Sequence, residues 1–346
     1  MPTGRASRVS LSDIARAAGV SEMTVSRALR AHPEVSIATR AKVAALAGQM
    51  GYAPDPRLSK MMSYLRDARR GAPGENLAFL WLDAQRSEVE QQPYLQLLID
   101  GARERARTLG FGLEFFFLSE PGLTPRRLGR ILEARGCHGV ILSPLLSSLE
   151  FKLELDWDRF ATVVVGRGQV GPALHRVSPD HYQGMALAMK ELARLGCRRI
   201  ALCSGSGSLA RQDHRWDASF AAHHPLGLAA AAEFMLVGDS ITFPAMQRWL
   251  RRTRPDAVLF HGVPSTREVI AGLRKIVPGL VVASLDWIPG LWEPTVGGIN
   301  QRYDVMGINA VDLVTAQVLR NERGLPGNPK LVMGEGNWVP PQIPAD

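Results

Sequence analysis

Two groups of side chains in this 346-residue sequence have the types and spacing to do chemistry. The first is basic. Residues 1–70 hold twelve Lys/Arg and five Asp/Glu, a surplus of seven, while the rest of the chain is nearly neutral at 29 against 28. Cationic groups confined to one end of a chain suit a polyanion, or form a solvated basic tail. The second group is polar or aromatic, and its members lie close beyond apolar runs: Asp83 and Gln85, Ser143, Arg167, Arg215, His261, Asp286 with Trp287, and Gln301. A carboxylate and a guanidinium facing one cavity bind vicinal hydroxyls through charge-assisted hydrogen bonds. Trp216, Trp287 and Trp292 supply indole faces that suit the apolar side of a sugar, or fill a core.

Catalysis and metal binding find little to work with. Ser204-Gly205-Ser206-Gly207-Ser208 follows an apolar run, but no G-x-x-x-x-G-K-[ST], G-x-G-x-x-G or G-x-S-x-G pattern accompanies it. His214, His223 and His224 lack a carboxylate or cysteine at ligand spacing, and adjacent residues cannot share a helix face. The three cysteines form no C-x-x-C pair, which fits a reducing compartment. The expectation is a protein that is no enzyme and holds no metal or cofactor. No apolar run reaches the ~18 residues of a membrane span, and the N-terminus shows no signal pattern. A cytoplasmic chain without membrane contact is expected.

The elements that must position these residues are of two kinds. Helices are expected at Ser12–Ala18, Glu22–Leu29 and Ser36–Met50, with Gly19 stopping the first and Ser21 capping the second. Helix, glycine turn, helix within about 20 residues is helix-turn-helix spacing, whose second helix enters the DNA major groove. A further short helix is expected at Arg57–Arg69, and Gly71-Ala72-Pro73-Gly74 reads as a linker. From Leu77 onward apolar runs such as LAFLWL, LEFFFL and ATVVV alternate with segments of helical period. That alternation predicts parallel sheets covered on both faces, with enough chain for two α/β lobes. The fold expected is a small all-α helix-turn-helix head plus an α/β body of two Rossmann-like lobes. Ligands of such lobes sit beyond the strand C-termini, where the second group of residues lies.

The head resembles that of the lactose-repressor (LacI/GalR) family. The resemblance rests on Val9-Ser10-Leu11-Ser12-Asp13-Ile14-Ala15, on Ala18-Gly19-Val20-Ser21-x-x-Thr24-Val25-Ser26-Arg27-Ala28-Leu29, and on Val35-Ser36, Thr39-Arg40, Val43 and Met50-Gly51-Tyr52-x-Pro54. The body resembles the family more thinly, through Gly139-Val140-Ile141-Leu142, Asp180 with Gly184, Leu195-Gly196-Cys197-Arg198-Arg199-Ile200-Ala201, Pro255-Asp256-Ala257-Val258, Ser284-Leu285-Asp286-Trp287 and Ile299-Asn300-Gln301.

The resemblance implies a transcriptional regulator, repressing rather than activating, that binds double-stranded DNA at a near-palindromic operator as a homodimer. It implies a small-molecule effector, a sugar, held in a cleft of periplasmic-binding-protein type. The domains would be a head at 1–54, a hinge helix and linker at 55–74, and an effector-binding and dimerisation body at 75–346. Glu22, Met23 and Arg27 would face bases, with helix-end stabilisation the alternative for Glu22 and a phosphate contact for Arg27. Ser12, Ser21, Thr24, Ser26, Ser36, Thr39 and Tyr52 stand at positions that contact phosphates, cap helices or, for Tyr52, fill the core. Met61 stands where the family places a minor-groove wedge, with packing against the body or the partner hinge as the alternative. Arg215 and Asp286 match effector contacts.

The sequence also departs from the family. Asp55-Pro56-Arg57-Leu58-Ser59 replaces the usual hinge pattern, Cys197 stands where His is usual, and His261-Gly262-Val263-Pro264-Ser265 replaces an N-D-x-x-A segment. The C-terminus carries no apolar heptad, so a dimer is expected rather than a tetramer. The competing class is a solute-binding protein with the same two lobes and no regulatory role, which residues 1–54 argue against.

Overall fold

The computed structural model describes residues 9–29, 35–52, 75–263 and 265–342. Expectations for the hinge, including Met61, lie outside these residues. The chain divides into two compact units, Met1–Ala72 and Pro73–Asp346.

The first unit holds α1 (Leu11–Ala18), α2 (Glu22–Leu29) and α3 (Ile37–Gln49). Its starts are set by local hydrogen bonds. Ser10 caps α1, its hydroxyl accepting from the Asp13 N–H while Asp13 accepts from the Ser10 N–H at 2.9 Å. Ser21 and Ser36 repeat one device: each hydroxyl accepts the N–H of a threonine three residues on, at 3.1 and 3.2 Å. Gly19 ends α1 at φ +73°, a backbone angle that glycine takes without a Cβ penalty. Ile14, Ala18, Val25, Ala28, Val43 and Ala47 form the small core, and the alanines let the helices approach closely. The Lys42 ammonium donates to the Ala18 carbonyl at 2.9 Å, satisfying the negative end of α1.

The second unit is built on two six-stranded sheets. Its strands are β1 (Asn76–Trp81), β2 (Gly112–Phe117), β3 (Cys137–Leu142), β4 (Glu150–Phe151), β5 (Ala161–Val165), β6 (Gln169–Val170), β7 (His175–Pro179), β8 (Ile200–Gly205), β9 (Met235–Gly238), β10 (Ala257–His261), β11 (Val281–Ser284), β12 (Val296–Asn300), β13 (Leu331–Gly334) and β14 (Asn337–Val339). The first sheet runs β13-β7-β5-β3-β1-β2, all parallel, and the second β14-β12-β11-β10-β8-β9, with β14 alone antiparallel. β4 and β6 form a separate two-stranded pair.

Strand order makes the chain cross between lobes three times, at 179–181, 300–303 and 334–337. In each sheet the first strand of the lobe, β1 or β8, has its two successors on opposite sides. That arrangement is a topological switch point, where loops diverge and leave a crevice.

The apolar runs read as strands are strands, with ends moved by one or two residues. Elements with little apolar pattern were not expected. β7 (HRVSP) and β13 (LVMG) lie side by side at one sheet edge. β12 contains Gly297 and Gly298 because backbone crowds it: a Cβ on Gly298 would lie 2.1 Å from the Ser284 carbonyl oxygen. Short helices Arg86–Glu90, Ser206–Arg211 and Arg215–His223 were also not foreseen. Helix Tyr303–Arg320 packs on helix Pro93–Thr108 in the first lobe through facing glycines, Gly307 and Gly101.

Candidate functional site

On the head, α2 presents Glu22 and Met23 at its start, both exposed, Met23 at 65%. Arg27 is exposed one turn on. Val25 and Ala28 face inward, so α2 buries one stripe and offers the other. The hydroxyls of Ser21 and Ser36 are already engaged with Thr24 and Thr39, which makes them helix caps first. Ser12 is half-buried in the first turn of α1, and Ser26 is half-buried on α2. Tyr52 packs against the head core and is half-buried.

In the body, a cavity of about 680 Å³ opens between the two lobes at the strand C-termini. That volume suits a small polar molecule. Four of the expected residues line it: Asp83 after β1, Arg167 after β5, His261 at the end of β10 and Asp286 after β11. Gln85, Arg215, Trp287 and Gln301 do not.

Asp286 is the centre of the site. Its Oδ1 accepts from the Tyr303 hydroxyl at 2.9 Å and from the Gln301 amide. Its Oδ2 faces His261 Nε2 at 3.4 Å. Gln301 is buried and also donates to the Leu285 carbonyl at 2.9 Å, so its role is to orient Asp286. His261 Nδ1 contacts the Ser204 hydroxyl at 3.2 Å. Burial holds the His261 imidazole below its ordinary pKa, opposed by Asp286 and reinforced by Arg211. Burial and the neighbouring Asp286 raise the Tyr303 and Tyr94 phenols, which stay neutral donors. Their rings meet with centroids 5.0 Å apart.

Asp83 has other work. Its carboxylate accepts from the N–H groups of Leu146, Ser147 and Ser148, at 3.0, 3.0 and 2.9 Å, and from the Ser147 hydroxyl at 3.1 Å. Burial raises its pKa, but these bonds outweigh burial and the net shift is downward. Asp83 therefore anchors the loop after β3. Gln85 heads helix Arg86–Glu90, its N–H donating to Glu88 at 2.6 Å. Ser143 is buried and accepts from the Leu82 N–H at 3.2 Å. Trp287 donates its indole N–H to the Val296 carbonyl at 3.1 Å, which ties it to β12. Trp292 stands in the cavity wall instead, its indole donating to the Asp286 carbonyl at 3.4 Å. Trp216 is fully buried between His181 and His261, with ring centroids 5.0 and 5.7 Å away.

Tyr94, His181, Arg211 and Tyr303 line the cavity and escaped sequence reasoning. Tyr94, His181 and Tyr303 share a signal that was available: each stands in the first turn of a helix. His181 is 5% exposed, with Nδ1 lacking a hydrogen-bond partner. Burial, with His261, Arg167 and Arg215 adding to it, pushes its pKa down to about 3. Arg167 Nε is likewise buried and unpaired. Unpaired polar atoms around one cavity mark a site made to bind a polar molecule. Among the described residues no cluster could hold a metal ion, and no helix is long and apolar enough to cross a membrane. The cysteines are buried, and burial raises their thiols, Cys137 and Cys203 to about 12 and Cys197 to about 11.

The chain thus joins a helix-turn-helix head, a fold of the kind that reads DNA, to a two-lobed α/β body with a polar cleft. Residues 10–55 match the family described as bacterial regulatory proteins, lacI family. The HTH-type transcriptional regulator AglR of Rhizobium meliloti (strain 1021) is 27% identical over 275 residues, covering 78% of this chain and 73% of that protein. A solved CelR–cellobiose complex is similar in fold, with a TM-score of 0.54 at 21% identity, covering 96% of this chain and 98% of that one. So is the lac repressor dimer bound to operator and the anti-inducer ONPF, with a TM-score of 0.51 at 17% identity and the same coverage. Residues 10–55 thus carry a regulatory head of the lacI type, and the chain as a whole is similar to transcriptional regulators that bear such a head. Its relatives are regulators rather than enzymes.

Proposed function

We propose that this regulator is a repressor, and that a sugar or related polyol in the cleft alters its hold on DNA. The observation that carries the ligand reading is Asp286. Gln301 and Tyr303 fix one carboxylate oxygen, and the other faces the cavity beside His261. A carboxylate held this way accepts from vicinal hydroxyls, while Trp292, Tyr94 and Tyr303 offer aromatic surface to the apolar side of a ring. The cellobiose held by the similar CelR structure supports the same class.

In this reading the chain pairs with a second copy and two heads read a near-palindromic operator in the cytoplasm. Residues 1–54 form the head, 55–74 the hinge and 75–346 the body. Arg27 binds a guanine edge, Glu22 and Met23 meet neighbouring bases, and Ser12, Thr24, Ser26, Thr39 and Tyr52 meet the phosphate backbone. Met61 enters the minor groove. Ligand binding changes the angle between lobes, and coupling is reciprocal: ligand and DNA change each other's affinity by the same factor.

The test starts with duplexes selected by the full chain from a random pool. Fluorescence anisotropy then measures binding across salt concentrations and across a panel of sugars. A palindromic winner with a steep negative salt slope, whose affinity changes with one sugar in the wild type and not in Asp286→Asn, supports the reading. Equal affinity with every sugar, or an unchanged response in Asp286→Asn, refutes it.

A further inference from the structure

Two guanidinium groups line the cavity, one from each lobe. Arg167 enters from the first lobe and Arg211 from the end of helix Ser206–Arg211 in the second. Arg215 lies just beyond, at the start of the next helix. Arg176 donates to the carbonyls of Gly166 and Gly168, at 2.9 Å each, and so clamps the backbone on both sides of Arg167. Among the described residues, the carboxylate within ion-pair reach of Arg167 is Asp213, at 3.1 Å. The same carboxylate lies 3.9 Å from Arg215. Arg211 donates to the neutral Ser208 hydroxyl at 3.2 Å and, among the described residues, has no carboxylate within 4 Å.

The other acids of the cavity pair with neither arginine. Asp83 is spent on its loop, Glu88 on the Gln85 N–H, and Asp286 is held by Tyr303 and Gln301. Arg167 adds an unpaired buried Nε although its side chain is only 15% exposed. A half-buried guanidinium without a counter-ion is costly; Arg211 has none among the described residues and Arg167 shares one exposed carboxylate with Arg215, so the two, from opposite lobes, suit a single anion between them.

We propose that the effector is an anionic sugar, its carboxylate or phosphate seated between Arg167 and Arg211 while its hydroxyls reach Asp286. This rests on the sugar reading above and narrows it. Asp213 then competes with the ligand. It is exposed, on a turn where it and His214 both take positive φ, +56° and +53°, and its carboxylate holds the Arg167 group that the anion would take. Because the anion bridges the two lobes, its charge contributes directly to closing the cleft.

The experiment is calorimetric titration of the full chain with glucose, glucuronate, glucose 6-phosphate and inorganic phosphate, at low and high salt. Arg211→Gln is the main variant, because Arg211 has no ion pair to lose, and Asp213→Asn is the second. The expected result is at least tenfold tighter binding of glucuronate or glucose 6-phosphate than of glucose. That preference should fall with salt, disappear in Arg211→Gln and grow about threefold or more in Asp213→Asn. The tighter of the two acids distinguishes carboxylate from phosphate. Glucose binding as well as its acids, or a preference that survives Arg211→Gln, overturns the proposal and leaves the sugar reading standing. Phosphate binding that depends on Arg211, with no sugar bound, keeps the anion site and overturns the sugar reading. No binding by any of the four overturns both.

Discussion

Gly307→Ala tests the packing that places Tyr303 beside Asp286. Gly307 lies one turn into helix Tyr303–Arg320, where it meets helix Pro93–Thr108. A Cβ there would stand 2.2 Å from the Leu98 carbonyl oxygen and 2.6 Å from the Ala102 nitrogen. Both are backbone atoms, so no side chain can swing away, and the helices must separate by about 1 Å to reach ordinary contact. Overpacking of this kind costs ~1–3 kcal/mol. Alanine returns up to ~1 kcal/mol of helix propensity, so the net loss should be about 1–2 kcal/mol. For a body of this size that lowers Tm by roughly 2–8 °C. Gly129→Ala is the control, because it makes the same change in helix Pro125–Ala134 with nothing within 4 Å of the new Cβ. It should stabilise by ~0.5–1 kcal/mol. Thermal unfolding followed by tryptophan fluorescence reads both variants. A Gly307→Ala protein as stable as wild type, or equal losses at both sites, would refute the reasoning that backbone contact governs this crossing.

Ser21→Ala and Ser36→Ala each remove a cap and should weaken the head by ~1 kcal/mol while body unfolding is unchanged; amide exchange of head residues measures this. Asp83 has a lowered folded pKa, so its anchor is intact above the unfolded value near 3.9 and fails as pH falls through the folded one. Leu146, Ser147 and Ser148 amide signals followed by NMR should move together in acid, and already at neutral pH in Asp83→Ala. His181, with its pKa near 3, takes up protons on unfolding, so its contribution to stability is full above about pH 6.5 and falls as pH drops toward 3. Urea midpoints at pH 7 and pH 5 should differ less in His181→Gln than in wild type; an equal difference would show that another group sets the acid slope.

The sequence by itself determined what depends on short range. Hydrogen bonds between residues three apart start the head helices, so Ser21 before Thr24 and Ser36 before Thr39 were readable as caps. The apolar runs were readable as buried parallel strands, because a strand covered on both faces must be apolar throughout. Which cleft residue has an atom to spare was decided by tertiary structure alone. Asp83 and Asp286 stand after strands alike, yet Asp83 meets three loop N–H groups 63 to 65 residues away and Asp286 meets Gln301 and Tyr303 from the returning crossing. Of the indoles expected at the cleft Trp292 lines it, while Trp287 does not, because β12 offers its N–H a carbonyl. Hydrogen-bonding capacity is finite, and what remains for a ligand is what partners from distant segments leave unused.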